Sequence, residues 1–210
     1  MRKAIALLLA LSLLFAFAAC EKPADKAEES AAAWELTQNG ALTKGAQSAF
    51  DKATEGLTSV NYTPLVLLAV REAEKTDYCL LCEARAVYPN AQPYYAFVTV
   101  AANEQGSAEI ARIVAADIGK IAESGEVTDE APSSEPRMGG WTVNREESVA
   151  AEGAVLHLAS QVVAGVNHCV LCRKEGWYFA FLYEDFNGNV EPTGSVPLDL
   201  SALTAPGESE

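Results

Sequence analysis

The sequence predicts an α+β fold made of two tandem units, each an antiparallel sheet with one helix. Three observations lead to this fold class. The chain matches itself at an offset of 90 residues, its first half contains one amphipathic helical stretch, and both halves contain short runs rich in β-branched and aromatic residues. With 210 residues, half of them hydrophobic, the chain is long enough for one domain or two small ones.

The internal match is clearest where each half carries a Cys-x-x-Cys pair. Residues 68–82, "LAVREAEKTDYCLLC", overlay residues 158–172, "LASQVVAGVNHCVLC". Each copy also begins at a tryptophan, Trp34 or Trp141. The later matches are YAF (95–97) over FAF (179–181) at an offset of 84, and Glu109 and Asp117 over Glu191 and Asp199 at an offset of 82. The order is kept while short gaps accumulate, which indicates two copies of one unit.

The first copy predicts a short strand, a helix and a four-stranded meander. In "ALTKGAQSAFDKATEGL" (41–57) apolar residues recur at spacings of three and four, as on one face of a helix. The strand runs that follow are "YTPLVLLAV", "DYCLLCEARAVY" and "PYYAFVTVAA". Residues 108–118 alone resemble a helix, but the aligned residues 191–200 contain Pro192 and Pro197. Both stretches are therefore predicted to be extended.

The second copy differs from the first in its helix. From its tryptophan to the shared Leu-Ala, the first copy spans 34 residues and the second only 17. The helix is therefore predicted to be shortened or lost in the second copy. Asn187-Gly188 predicts a tight hairpin between its last two strands.

Composition sets the boundaries between the segments. Residues between the copies are acidic, rich in Pro, Ser and Gly, and free of large apolar side chains, as in a solvated linker. The predicted segments are a signal peptide (1–19), a tether (20–33), unit 1 (34–120), a linker (121–137), unit 2 (138–203) and a tail (204–210).

The first twenty residues predict export. Arg2 and Lys3 precede an apolar run from Ala4 to Phe17, and small residues then precede Cys20. This arrangement resembles a bacterial lipoprotein signal, which implies that Cys20 is lipidated and anchors the protein to the membrane outside the cytoplasm. The alternative is ordinary signal cleavage after Ala16-Phe17-Ala18, which would give a secreted protein with Cys20 as a spare thiol.

The charge of the chain argues against several functions. Discarding residues 1–19 removes two positive charges and no negative ones, which takes the formal charge from −14 to −16. Such an acidic surface repels phosphate backbones, so no nucleic-acid partner is expected. It also argues against adsorption on anionic lipid, so membrane contact should come from the lipid anchor alone. No phosphate-binding loop or nucleophile motif occurs, and neither an enzymatic activity nor a cofactor is predicted.

Four cysteines besides Cys20 form the two pairs Cys79/Cys82 and Cys169/Cys172. Their separation does not have the local spacing of a zinc site, and disulfides are favoured outside the cytoplasm. Bridges within each pair are preferred, although residues three apart on a strand face opposite sides. Bridges between the copies are the alternative. His157 and His168 are interpreted as strand residues, and no metal site is predicted.

One turn carries a resemblance to a known family. Gln161, Val162, Val163, Ala164 and Gly165 join two predicted strands, and Gly139 and Gly140 precede the first strand of that copy. A β-α-β-β-β-β unit with this turn and this glycine pair resembles the cystatins. The first copy has the charged residues 71–75 at the same place, so only the second copy carries the motif.

The resemblance implies a function for these seven residues. In cystatins the turn and the glycine-bearing arm enter the active-site cleft of papain-like cysteine proteases. The predicted partner is therefore a protein, with a papain-like protease as the specific case, and Gly139, Gly140 and 161–165 are the predicted contacts. The second hairpin, at 185–188, offers only Phe186 as an apolar contact. The alternative function is a non-inhibitory surface lipoprotein module of unknown ligand.

Overall fold

Two five-stranded antiparallel sheets make up most of the folded chain, and each half of the sequence forms one of them. A computed structural model describes residues 32–127, 138–145 and 149–204, all within the compact unit Ala32–Glu210. The predicted signal peptide, Cys20, nearly all of the tether, residues 128–137 of the linker and the tail from residue 205 lie outside the described residues.

Sheet A has the spatial order β1-β2-β3-β4-β5 and sheet B the order β10-β9-β8-β7-β6. The strands of sheet A are β1 (Glu35–Leu36), β2 (Val60–Glu72), β3 (Thr76–Ala86), β4 (Tyr94–Ala102) and β5 (Ala108–Ala116). The strands of sheet B are β6 (Thr142–Val143), β7 (Ala154–Val163), β8 (Gly165–Arg173), β9 (Trp177–Glu184) and β10 (Val190–Pro197). The helices are α1 (Lys44–Ala53), α2 (Ile118–Ser124) and α3 (Leu200–Thr204). Among the described residues, no helix is both long and apolar enough to cross a membrane.

The prediction of an α+β fold made of two tandem cystatin-like units is wrong. The structure is mostly β, with two antiparallel sheets and only short helices. The prediction assigned one helix as the cover of each sheet, but a sheet has two faces. The inner faces of sheets A and B pack against each other and share one hydrophobic core, so the principal layers are sheets rather than helices.

The two sheets correspond position by position. Leu81 pairs with Val66 in sheet A, and Leu171 pairs with Leu156 in sheet B, 90 residues further on in each case. Register irregularities also recur at equivalent places, beside Ala69 in β2 and beside Ala159 in β7. The sheets therefore share their irregular features as well as their strand order.

Contacts across the core are reciprocal. The hydroxyl of Tyr95 donates to the carbonyl of Leu158 at 2.7 Å, and the indole N–H of Trp177 donates to the carbonyl of Leu68 at 2.7 Å. Tyr95 pairs with residue 83 and Trp177 pairs with residue 173, which lies 90 residues further on, so the two donors occupy equivalent positions. The two acceptors, Leu68 and Leu158, also lie 90 residues apart. Each half thus contributes the same kind of contact to the other, as the two subunits of a two-fold dimer do.

The aromatic pair at the centre of the core corrects one predicted overlay. Phe97 pairs with Leu81 and Phe179 pairs with Leu171, so the two phenylalanines are equivalent at an offset of 82. The YAF-over-FAF overlay at an offset of 84 is therefore wrong by two residues. The rings of Phe97 and Phe179 lie 6.2 Å apart between their centroids, and each side chain contacts its own counterpart across the core.

The outer faces of the sheets are covered differently. On sheet A, Ala46, Ala49 and Phe50 of α1 pack on the side chains of Leu67 and Leu80. The helix begins at its N-cap Thr43, whose side chain accepts a hydrogen bond from the backbone of residue 46 at 3.1 Å. On sheet B, a segment containing Val149 and Ala151 packs on the apolar side chains Val170, Cys172, Ala180 and Leu182.

All four cysteines of the described residues are buried free thiols, which differs from the predicted disulfides. Cys79 and Cys169 lie in the central core, whereas Cys82 and Cys172 lie on the outer faces of their sheets. Residues three apart on these strands face opposite sides, and nothing at 79–82 or 169–172 turns the two side chains together. Burial raises the pKa of each thiol, that of Cys79 to about 12.

We expect these thiols to be unreactive until the protein unfolds. In the chain starting at Glu21, an aromatic disulfide reagent at pH 8 should release almost no product from the native protein, because the thiolate is the nucleophile and burial disfavours it. The same sample in denaturant should react at all four cysteines. If no cysteine reacts in denaturant, the cysteines are oxidised in pairs and this prediction is wrong.

Candidate functional site

Two neighbouring turns at one end of sheet B form the candidate site. The β7–β8 turn is centred on Ala164 and the β9–β10 turn spans Asp185–Asn189. Because Val166 pairs with Glu184, the two turns lie side by side. The hydroxyl of Tyr183 donates to the carbonyl of Ala164 and links the two hairpins.

The large apolar side chains at this end face solvent. Val162 is 83% exposed and Phe186 is 85% exposed, the two highest values among the large hydrophobic residues described. Val163 and Val190 are 47% and 38% exposed. We call these four residues, Val162, Val163, Phe186 and Val190, the apolar tip. Ala164 is also exposed, whereas Gly165 is buried.

The structure brings the seven predicted contact residues to this end, but they do different things. The side-chain amide of Gln161 donates to the carbonyl of Gly139 at 2.9 Å and accepts from the amide of Asn167 at 2.9 Å. Gly139 and Gly140 are exposed beside it. A Cβ on Gly119 of α2 would lie 2.7 Å from the Cα of Gly139, so the two backbones are in close contact. Gln161 and the glycine pair therefore position the turn, and Val162, Val163 and Ala164 remain available for contact.

The β9–β10 turn is built around the carboxylate of Asp185. The backbone N–H groups of Asn187 and Asn189 donate to this carboxylate at 2.8 and 2.9 Å, and the Asn189 side chain donates to it at 2.8 Å. These hydrogen bonds, that of the Asn189 side chain foremost, lower the pKa of Asp185 to about 2. The carboxylate keeps the turn ordered at neutral pH and holds Phe186 outward at its apex.

The two histidines are buried on the outer face of sheet B and contact each other. Nε2 of His157 lies 3.2 Å from Nδ1 of His168, and Nε2 of His168 lies 3.2 Å from a carboxylate oxygen of Glu184. Nδ1 of His157 faces the carbonyl oxygen of Asn144, so this nitrogen carries a proton. The contacts form a continuous polar chain that ends at the base of the β9–β10 turn. Both histidines lie in strands, as predicted.

A cleft of about 460 Å³ opens beside the turn, between α2 and β10. Trp141 and Phe181 supply its aromatic surface, and their rings pack edge to face at 5.8 Å. The amides of Gln161 and Asn167 supply polar groups, and Glu123 supplies a carboxylate. The remaining lining residues are small or aliphatic, or carry a hydroxyl: Gly119, Ala122, Gly125, Gly139, Leu182, Thr193, Gly194, Ser195 and Val196.

Within residues 32–127, 138–145 and 149–204, no three His, Cys, Asp or Glu side chains are grouped so that they could hold a metal ion. The part of the cleft lining that the structure describes has one carboxylate, that of Glu123, and neither a histidine nor a cysteine. The arrangement offers an apolar contact surface next to a small polar cleft.

Sequence reasoning identified the β7–β8 turn but missed the cleft. Glu123 and Gly194 are far apart in the sequence and meet only because α2 of the first half packs against sheet B. No local sequence pattern indicates that these two residues line the same cleft. The sequence shows Phe186 as the apolar residue of its turn, but the strand pairing that brings this turn next to the β7–β8 turn is not visible there. No protein-family model, curated protein or solved structure matches the chain.

Proposed function

We propose that the chain is an extracytoplasmic, lipid-anchored protein that binds a protein partner through the apolar tip. The observation that carries this proposal is the exposure of Val162 and Phe186, each more than four-fifths exposed, on two adjacent turns. Grouped apolar side chains on a soluble surface are typical of contact sites. The export signal and Cys20 support the location.

The apolar character of the β7–β8 turn is not required to form the hairpin. In the first half, the equivalent β2–β3 turn contains charged residues, and the backbone N–H of Ala73 donates to the carbonyl of Lys75 there at 3.0 Å. Arg71 and Asp77 close that hairpin with an ion pair. Since a charged turn serves the same structural purpose, contact with a partner accounts for Val162 and Val163 better than folding does.

A papain-like cysteine protease is the first partner to test. The turn residues Gln161–Gly165 resemble the cystatin turn, and the neighbouring β9–β10 turn adds the exposed side chain of Phe186. Burying Val162 and Val163 would contribute about 3 kcal/mol before the costs of association. Valine has a single, stiff side-chain torsion, so ordering these two side chains adds little to the costs of association.

The test is inhibition of papain by the chain from Glu21 to Glu210. We expect the parent protein to inhibit, and the double variant Val162→Asp, Val163→Asp to inhibit about 100-fold less, since about 3 kcal/mol of contact is lost. The matched control is Val87→Asp, because Val87 is also a half-exposed valine, at 56%, but lies in the other half of the chain. The control should inhibit like the parent.

Two outcomes would count against parts of the proposal. If the parent fails to inhibit papain-like proteases at micromolar concentration, the protease is removed as partner and the non-inhibitory surface module is the surviving function. If the parent inhibits and the double variant inhibits equally well, the apolar tip is not the contact surface. Circular dichroism of both variants would show that they are folded.

A further inference from the structure

The cleft between α2 and β10 has a counterpart in the first half of the chain, and that counterpart is filled. Strand pairing makes Gln161 equivalent to Arg71 and Asn167 equivalent to Asp77, because each pair faces across its hairpin 90 residues from the other. Trp141, just before β6, is equivalent to Trp34, just before β1.

In the first half, a guanidinium group occupies the space over the tryptophan. The Cζ atom of Arg71 lies 4.7 Å from the centroid of the Trp34 ring. Its Nε and Nη2 atoms donate to one carboxylate oxygen of Asp77 at 2.9 and 2.5 Å. A planar cation on an aromatic face, held by a carboxylate, is a favourable combination.

In the second half, the same positions lack that cation. Gln161 and Asn167 are neutral; the amide of Asn167 donates to the side-chain oxygen of Gln161, and the amide of Gln161 donates to the carbonyl of Gly139. Gly194 is equivalent to Arg112 of sheet A, since they pair with the equivalent residues 181 and 99. The glycine leaves the wall of the cleft open: a Cβ added there would meet nothing within 4 Å.

We propose that the cleft binds the guanidinium group of an arginine side chain of the partner, placed over Trp141 and paired with Glu123. Among the described residues that line the cleft, Glu123 is the only charged one, and its carboxylate suits a cationic ligand. The formal charge of −14 also favours a cationic ligand. This site rests on the proposed function, because it assumes a protein partner. It adds that the partner presents an arginine next to the apolar surface that contacts the tip.

The binding of N-acetyl-arginine amide to the chain from Glu21 tests this site without the partner. The probe should shift the indole N–H signal of Trp141 in nitrogen-edited NMR spectra, with a dissociation constant on the order of 1 mM. Trp141→Phe identifies that signal among those of the three tryptophans. N-acetyl-citrulline amide has nearly the same shape without the charge and should bind about tenfold more weakly.

Two matched variants locate the binding. Gly194→Arg restores the arginine found at the equivalent position of sheet A and should weaken binding of the arginine probe about tenfold or more. Gly176→Arg adds the same side chain at another position where a Cβ meets nothing within 4 Å, on the turn between β8 and β9. It should leave the affinity unchanged. Glu123→Gln should weaken the arginine probe and leave the citrulline probe unaffected.

Several results would overturn the proposal. Equal affinity for the arginine and citrulline probes would show that the site does not select a cation. Binding that survives Gly194→Arg would place the probe elsewhere, and no shift of the Trp141 signal at 20-fold the expected dissociation constant would exclude the site. None of these results bears on papain inhibition, which tests the apolar tip separately. Failure of the arginine site and failure of the proposed function are therefore distinguishable.

Discussion

Replacing Phe179 with alanine should lower the free energy of unfolding by about 3–5 kcal/mol. The side chain is fully buried in the core shared by the two sheets, and its ring lies 6.2 Å from that of Phe97. Removing it takes away apolar contacts on both sides and leaves a cavity that rigid sheets fill poorly. Denaturation in guanidinium chloride, extrapolated linearly to water, measures the change.

The loss should affect both sheets together. Because Phe179 of sheet B packs on Phe97 of sheet A, we expect one unfolding transition in both parent and variant, detected identically by fluorescence and circular dichroism. Phe97→Ala should cost a similar amount, and the double variant about 0.5–1.5 kcal/mol less than the sum, since the rings contact each other. Phe186→Ala, the matched control on an 85% exposed phenylalanine, should change stability by less than about 0.5 kcal/mol.

A second transition would contradict this picture. If sheet A kept its own unfolding midpoint while Phe179→Ala destabilised only sheet B, the halves would be independent domains. The reciprocal hydrogen bonds of Tyr95 and Trp177 argue against that outcome, because each one joins the two sheets at a buried position. Separating the halves would break both hydrogen bonds and expose the apolar core that the two sheets share to water, which is unfavourable.

The strands were predictable because their sequence signals are local. The three runs of the first half coincide with β2, β3 and β4 to within about two residues at most ends. Residues 108–116 resemble a helix when taken alone, but they form β5. The aligned residues of the second half contain Pro192 and Pro197, which disfavour a helix and so predicted a strand. These two prolines do lie in a strand, β10. The internal comparison predicted an extended segment at 108–118, and the structure confirms it for 108–116, whereas α2 begins at Ile118.

The fold class was not predicted because the cover of each sheet is not a local property. Tyr94–Ala101 of β4 are buried throughout, on both faces of sheet A. Continuous burial of this kind means that something covers each face. One cover is α1, which the helical stripe predicted, and the other is sheet B. The sequence contains the apolar residues of both faces but does not say which element packs on which.

The candidate site was predictable only in part, for the same reason. The turn at 161–165 stands out in the sequence because its counterpart in the first half is charged. Three features of the site depend on elements that are distant in sequence: the Gln161–Gly139 hydrogen bond, the adjacent position of the two turns, and the cleft lining that includes Glu123 and Gly194. The two halves also differ in sequence at this end of the sheets, as Gln161 and its equivalent Arg71 illustrate, so one half does not predict the contacts of the other.

Replacing Gly165 with alanine should destabilise the protein by about 3 kcal/mol and disturb the β7–β8 turn. Gly165 has a φ of +134°, a conformation that side chains with a Cβ rarely adopt. An added Cβ would also lie 2.5 Å from the carbonyl oxygen of Glu184 and 2.6 Å from the hydroxyl of Tyr183. The backbone carbonyl belongs to the β8–β9 ladder and cannot move without breaking it, so strain and overlap add.

Two other glycines separate these contributions. Gly188→Ala introduces positive-φ strain, at +80°, with no atom closer than 3.9 Å, and should cost about 1 kcal/mol. Gly176→Ala introduces neither strain nor overlap and should be nearly neutral. If all three substitutions cost the same, the close approach of Gly165 to Glu184 is not what constrains the turn. If instead the loss of stability rises in the order Gly176, Gly188, Gly165, the neighbouring strand requires glycine at 165. Val162 and Val163, which are exposed, do not meet this steric restriction.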